Sequence, residues 1–352
     1  MRTSHLRRGA AHATALLFGA SLLAGCGTSP EPESGSSSLS EQPGDTVYPL
    51  TIDNCGESVT FDGPPQRAAS LYQSSTEILL SLGLADRMVG TSTWFDPVLP
   101  ELAAANERVP RLADNDPSLE TVLDTEPDLV TSASAHTFTS GVVAERSRFE
   151  QLGVHTYQSP SVCTGATVEG DTVTRSEKLT IETLYREIRE LAAIFDVQER
   201  GAELVEQLRA RVDAAKNALA GDTPSPSVAF WFSGIDQPFM AGCCSAPGLL
   251  ASEVGATNVF EDSSEDWPEI GWETVADRDP EVLVLGDLSR TRVEGDSLDT
   301  KIAFLESNPV TREMSAVPDR RYVILTGSEL DPGIREVAAI EKLSAGLQGS
   351  PS

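Results

Sequence analysis

At 352 residues the chain is long enough for two domains, and its 39% hydrophobic and 23% charged residues are typical of a soluble globular protein. Its formal net charge is -28, from 26 basic and 54 acidic residues. Because such a surface repels phosphate backbones and anionic lipid headgroups, the charge argues against nucleic acid as a partner and against direct binding of the protein surface to a membrane.

The amino-terminal segment has the pattern of an export signal. Three arginines precede a short apolar stretch, which ends in Leu-Ala-Gly-Cys at Cys26. This ending resembles the lipobox of bacterial lipoproteins, so residues 1–25 are expected to be a signal peptide and Cys26 the lipid-modified amino terminus. Residues 26–46, rich in Ser, Pro, Gly and Glu, are predicted to be a disordered tether. The protein is therefore expected outside the cytoplasm, held to the cell membrane by its lipid anchor alone.

Residues 47–195 alternate short strand and helix patterns through short loops. Such alternation predicts βαβ units and a largely parallel sheet, which we take as a first lobe. Ligands bind outside the carboxyl ends of the strands in sheets of this kind. The candidate ligand-binding side chains are those that follow the predicted strands: Tyr72, Gln73, Trp94 and His136.

Residues 196–220 are predicted to form one long helix. Apolar residues recur at spacings of three and four, which indicates a single buried stripe: Leu204, Val205, Leu208, Val212 and Ala215. Asp196 and Glu199 match a capping box at its start, and Gly221 would end it. The helix would be about 36 Å long, enough to act as a rigid connection between two lobes.

Residues 221–352 repeat the alternation of strands and helices and form the second predicted lobe. Residues 120–130 align with 273–283, with five identical residues, and in both copies a proline separates a helix from a buried strand. The expected fold is therefore an α/β protein of two lobes with mostly parallel sheets, joined by a single long helix. Trp267, on a loop after a strand, and Arg335, at a helix start, complete the set of candidate ligand-binding residues.

Four cysteines follow Cys26: Cys55, Cys163, Cys243 and Cys244. In an oxidising compartment an even number suggests disulfides, and three pairings are possible. We favour Cys55–Cys163, because both lie in the first lobe. Cys243 and Cys244 would then form a bridge between neighbours or stay as thiols, and a redox lipoprotein using them is one alternative function. The lack of a C-x-x-C spacing argues against metal binding by the four.

Three segments and one interval together resemble a known family, the class III substrate-binding proteins of ABC importers for iron–siderophore complexes, cobalamin and haem. They are 67–83, 118–130, 255–260 with Trp267-Pro268 after it, and the interval from Phe239 to Trp267, which is similar to that of cobalamin-binding members. The resemblance covers about residues 47–348.

This resemblance implies a monomeric, extracytoplasmic solute-binding lipoprotein. It would capture an iron–siderophore complex and deliver it to a permease dimer with a cytoplasmic ATPase, with cobalamin or haem as alternative ligands. It also implies that Glu77 and Glu273, one on each lobe, dock onto permease arginines, since paired carboxylates and arginines fix orientation and speed encounter.

An enzyme and a binder of bare metal ions are both disfavoured. No Gly-x-Ser-x-Gly, phosphate-loop or His-Glu-x-x-His motif occurs, so no catalytic residue is assigned. Only His136 and His155 follow the signal segment, whereas manganese or zinc sites usually gather several histidines, so no metal ligand is assigned. No cofactor is expected beyond a chelate carried as cargo, and aromatic residues at strand ends suit a bulky, conjugated ligand of this kind.

Overall fold

The computed structural model describes residues 45–219, 225–288 and 296–348. The predicted signal peptide, the lipidation residue Cys26 and nearly all of the predicted tether lie outside these ranges. None of the described helices is both long and apolar enough to cross a membrane.

The first lobe alternates short strands and helices, as its sequence pattern predicts. Its elements, in chain order, are β1 (Leu50–Asn54), β2 (Glu57–Phe61), β3 (Ala68–Ser70), α1 (Gln73–Ser81), β4 (Met88–Thr91), α2 (Ala103–Asn106), α3 (Leu119–Leu123), β5 (Leu129–Ser132), α4 (Arg146–Gln151), β6 (His155–Gln158), α5 (Pro160–Cys163), β7 (Ala166–Glu169), β8 (Thr172–Arg175) and α6 (Ile181–Ile194). The hairpin β7–β8 and the helix α6 are elements that the sequence patterns did not predict.

The connecting helix and the second lobe follow. Their elements are α7 (Gln198–Ala218), β9 (Ser227–Trp231), α8 (Ala246–Glu253), β10 (Thr257–Asn258), α9 (Trp272–Arg278), β11 (Val282–Asp287), α10 (Leu298–Ser307), β12 (Tyr322–Thr326), α11 (Gly327–Leu330) and α12 (Glu336–Gln348). The helix α10 was not predicted either.

Each lobe is built on a four-stranded, all-parallel sheet, and the two sheets have the same strand order. The first runs β4-β3-β5-β6 and the second β10-β9-β11-β12. In each sheet the second strand in chain order, β4 or β10, lies at an edge beside the first, β3 or β9. The predicted fold class, two lobes of mostly parallel sheet, is confirmed.

The repeated segment occupies the same place in both lobes, where α3 leads into β5 and α9 into β11. The residue before each proline, Glu126 or Asp279, has a left-handed backbone, with φ of 48° and 41°. Such φ values are uncommon outside glycine, and the residue before proline disfavours a right-handed helical backbone. The same uncommon turn in both lobes agrees with the predicted relation between them.

The long helix α7 packs between α6 of the first lobe and α12 of the second. Its predicted stripe is buried at Val205, Leu208, Val212 and Ala215. Gly201 allows close approach to α6, because a Cβ at this position would overlap the Ala192 side chain.

The predicted capping box at the start of α7 is wrong. Asp196 has φ of 56°, and its Oδ1 accepts a hydrogen bond from the Thr46 N–H at 2.7 Å. The helix begins after Val197, with no side-chain cap. The physical reason is that α6 ends at Ile194, so the chain must reverse within three residues, and a left-handed residue makes this turn. The predicted carboxyl-terminal boundary at residues 220–221 lies outside the described residues.

Candidate functional site

A cleft lies at the carboxyl ends of the strands of both sheets, where open α/β sheets bind ligands. It holds a cavity of about 250 Å³. Its walls come from the loops after β3, β5 and β6, from the β7–β8 hairpin, and from the loops after β9, β10 and β12. Lining residues include Tyr72, Ser134, His136, Asp171, Arg175, Ser245, Glu265, Asp266, Trp267 and Asp331.

Three of the six candidate ligand-binding residues lie on this wall: Tyr72, His136 and Trp267. The Trp267 ring packs against Phe232 of the same lobe, with centroids 4.9 Å apart and planes at 33°. Tyr72 packs against Phe95 at 5.3 Å, and its hydroxyl donates to Asp331 Oδ2 at 3.2 Å. The two aromatic side chains therefore come from opposite lobes and are each fixed by packing.

Gln73 and Trp94, the next two candidates, do not line the cavity. Gln73 is 1% exposed, and its Oε1 accepts hydrogen bonds from the N–H groups of Phe95 and Asp96 at 2.8 and 2.9 Å. Trp94 is 4% exposed, with its Nε1–H directed to Thr91 Oγ1 at 3.3 Å. Both follow strands as predicted, but their side chains turn into the protein and hold the loop after β4.

Arg335 and Glu77 form a buried ion pair with each other, which contradicts both predicted roles. Arg335 Nε lies 2.8 Å from Glu77 Oε2, and Arg335 Nη2 lies 2.6 Å from Glu77 Oε1. Glu77 is 1% exposed and Arg335 8%. A carboxylate in this position cannot meet a permease arginine, and a guanidinium committed to it is not free for a ligand.

Glu273 is exposed in the first turn of α9, as a docking residue requires. Its counterpart in the repeat is Glu120, which is exposed in the first turn of α3. The repeat itself was the signal that pairs these two glutamates across the lobes. Glu77 also lies on a helix, but it is outside the repeated segment and so has no counterpart in the second lobe.

The two lobes are tied together at both sides of the cleft. On one side, the Glu77–Arg335 pair joins α1 to the segment before α12, and the Ser328 N–H donates to Asp96 Oδ2 at 2.8 Å. On the other side, β8 pairs with the loop after β10, where the Arg175 N–H donates to the Ser264 carbonyl at 2.7 Å. Together with α7, these contacts join the two lobes on both sides of the cleft.

Arg175 and Asp266 form a second buried ion pair, at the cavity wall. Arg175 Nε lies 2.9 and 3.1 Å from the two Asp266 oxygens, and Nη1 donates to the carbonyls of Ser161 and Thr164 at 2.8 and 3.1 Å. Neither residue was a candidate. No local pattern identifies them, because they lie 91 positions apart and meet only through the hairpin.

Both disulfides adjoin residues that line the cavity. Cys55–Cys163, the pairing favoured from the sequence, ties the β1–β2 turn to α5, with Cα atoms 5.5 Å apart. Cys243 and Cys244 are bridged to each other immediately before Ser245. The Cys243 N–H donates to the Ser263 carbonyl, and the Cys244 carbonyl accepts from the Leu179 N–H, both at 2.8 Å. The loop that presents Ser245 is thereby fixed to the loop after β10 and to the segment before α6.

Two parallel sheets joined by a long helix, with a cleft at their strand ends, place a ligand site between two lobes. Residues 69–329 match the family model described as periplasmic binding protein, and the chain belongs to this family of ABC-importer substrate-binding proteins.

Three relatives illustrate the similarity. The vitamin B12-binding protein of Vibrio campbellii is 27% identical over 63% of this chain and 71% of its own. The uncharacterized ABC transporter substrate-binding lipoprotein YvrC of Bacillus subtilis is 25% identical over 92% of this chain and 94% of its own. The crystal structure of an ABC-type Fe3+-hydroxamate transport system from Saccharomonospora viridis superposes with a TM-score of 0.70 and 27% identity, covering 86% of this chain and all (100%) of that one.

Proposed function

We propose that this protein captures an iron–siderophore complex outside the cytoplasm and delivers it to the permease dimer of an ABC importer. The observation that carries the proposal is the cleft between the two sheets, walled by Tyr72 and Trp267 from opposite lobes. Flat aromatic side chains suit a bulky chelate, and the similarity to an Fe3+-hydroxamate transport protein supports a ferric ligand. A monomer anchored through lipidated Cys26 completes the proposal.

Cobalamin is the second candidate ligand. It is favoured by the similarity to a protein named for vitamin B12 binding, and by the interval from Phe239 to Trp267. The Trp267 ring, which lines the cavity and packs against Phe232, offers an aromatic face to either ligand. Haem is the third.

Titration of the purified mature protein with ferric hydroxamates, cyanocobalamin and haem, followed by calorimetry, tests the proposal. We expect one member of this panel to bind, and Trp267→Ala to weaken it by about 10- to 100-fold, as is typical for loss of an aromatic contact at the centre of a binding site. Trp94→Phe is the control, because Trp94 is buried away from the cavity. Equal losses in both variants, or no binding by any member, would contradict the proposal.

Docking to the permease is proposed to use Glu120 and Glu273. Both are exposed in the first turn of equivalent helices of the two lobes, where carboxylates are also stabilised by the helix dipole. Glu120→Lys/Glu273→Lys is expected to lower stimulation of the importer's ATPase in proteoliposomes by about tenfold or more, because it sets like charges against the permease arginines.

The matched control for docking is Glu150→Lys/Glu203→Lys, which makes the same change in net charge at exposed glutamates on α4 and α7. It should leave stimulation unchanged, and both double variants should keep the affinity for the ligand. Equal stimulation by all three proteins would dismiss this docking role.

A further inference from the structure

We infer that the cleft selects an uncharged or cationic chelate with N–H donors at its periphery, and discriminates against chelates that carry carboxylate or catecholate anions. The inference rests on the proposed function and narrows its ligand class. Three carboxylates line the cavity without a basic partner among the described lining residues: Asp171, Glu265 and Asp331.

Arg175, the arginine among the described lining residues, does not offset these negative charges. The Arg175 side chain is 5% exposed, and Asp266 already neutralises it through both carboxylate oxygens. Its Nη1 is further committed to two backbone carbonyls. Arg335, the arginine predicted from the sequence to bind the ligand, is paired with Glu77 and does not line the cavity.

A buried hydroxyl marks the wall as a place for a polar ligand group. Ser245 is 3% exposed and lines the cavity, and its Oγ has no hydrogen-bond partner among the described residues. A buried hydroxyl without a partner is costly, so a ligand donor or acceptor placed here would recover a hydrogen bond. The loop that holds Ser245 is fixed by its backbone hydrogen bonds on both sides.

The charge of the wall persists at neutral pH. Burial raises the pKa of Asp331 to about 6, with a smaller contribution from Asp96 and opposed by the Tyr72 hydrogen bond. Above that pH Asp331 is ionised in the cleft wall. An anionic ligand would have to lose its hydration next to three like charges, whereas an ammonium or amide N–H would find acceptors there. The acidic surface of the whole chain acts in the same direction.

Derivatives of one chelate test the effect of ligand charge on affinity while the iron-binding part of the ligand keeps its shape. Ferrioxamine B carries a free ammonium group, its N-acetyl derivative carries no net charge there, and its N-succinyl derivative ends in a carboxylate. At pH 7.5 and low salt we expect calorimetry to show the succinyl form binding at least about tenfold more weakly than the ammonium form, with the acetyl form between them. Glu265→Gln/Asp331→Asn should reduce the difference, whereas Glu150→Gln/Glu203→Gln, at exposed positions that do not line the cavity, should not.

Ferric enterobactin and haem as anionic ligands, and cyanocobalamin as an uncharged one, extend the panel. Tighter binding of the anionic members than of the uncharged and cationic ones would overturn the charge inference and leave the proposed function standing. Absence of binding by every member would overturn the proposed function and the inference with it.

Discussion

Replacement of Arg335 by methionine is expected to lower the free energy of unfolding by about 3–5 kcal/mol, since it leaves the Glu77 carboxylate buried without a cation. The pair has bidentate geometry, with N–O distances of 2.8 and 2.6 Å, and Glu77 is 1% exposed. Urea unfolding at pH 7, followed by circular dichroism, measures this change. We expect the ligand affinity of the folded protein to change much less, because Arg335 does not line the cavity.

An exposed pair of the same geometry provides the control. Arg211 and Glu341 join α7 to α12 with N–O distances of 2.8 and 2.7 Å, but their side chains are 45% and 38% exposed. Arg211→Met should therefore cost less than about 1 kcal/mol. The double variant Glu77→Leu/Arg335→Met should recover much of the loss, because apolar side chains need no counter-charge. Equal losses for Arg335→Met and Arg211→Met would contradict this account of the pair.

Stability is expected to fall as the pH rises from about 5 to about 8. Burial raises the pKa of Glu187 from 4.5 to about 7, with a smaller contribution from Glu190 and opposed by a hydrogen bond from Ser159. Burial, assisted by the charge of Glu187, also raises the pKa of Glu336 well above its ordinary value. These carboxyls lie on α6 and α12, the two helices that pack on α7.

The sign follows from proton binding. Between the unfolded and folded pKa values the native state holds more protons than the unfolded chain, so raising the pH favours unfolding. For Glu187 the interval from 4.5 to about 7 corresponds to a loss on the order of 3 kcal/mol, and it is complete once the pH passes the folded pKa. Asp331, with its pKa raised to about 6, acts in the same direction at lower pH.

Glu187→Gln tests this prediction directly. The amide keeps an acceptor for Ser159 and has no charge to desolvate, so the variant should be more stable than the wild type at pH 8 and nearly equal to it at pH 5. Glu203→Gln, an exposed residue of α7, should leave the pH profile unchanged. A wild-type profile that rises from pH 5 to pH 8, or one that Glu187→Gln leaves unaltered, would refute the prediction.

The strand-and-helix pattern of both lobes was readable from the sequence because its causes are local. Pro127 and Pro280 each end a helical stretch before a buried strand, and the structure places β5 and β11 directly after them. The stripe of α7 is buried where its spacing of three and four residues required. The helix α6 was not predicted, although buried apolar residues recur along it at helical spacing, among them Leu184, Ile188 and Leu191.

The sequence by itself therefore determined the two-lobed α/β fold, the connecting helix and the pair of repeated glutamates, since each depends on residues close together in the chain. Only the tertiary structure decided which side chains reach the cleft. Glu77 and Glu120 both lie on short helices of the first lobe, yet one meets Arg335, 258 residues away, and the other faces solvent. Arg175 and Asp266 meet across 91 residues. Local sequence patterns do not encode such contacts. Long-range packing decides which charged side chains are buried, which are neutralised by a partner and which remain available to a ligand.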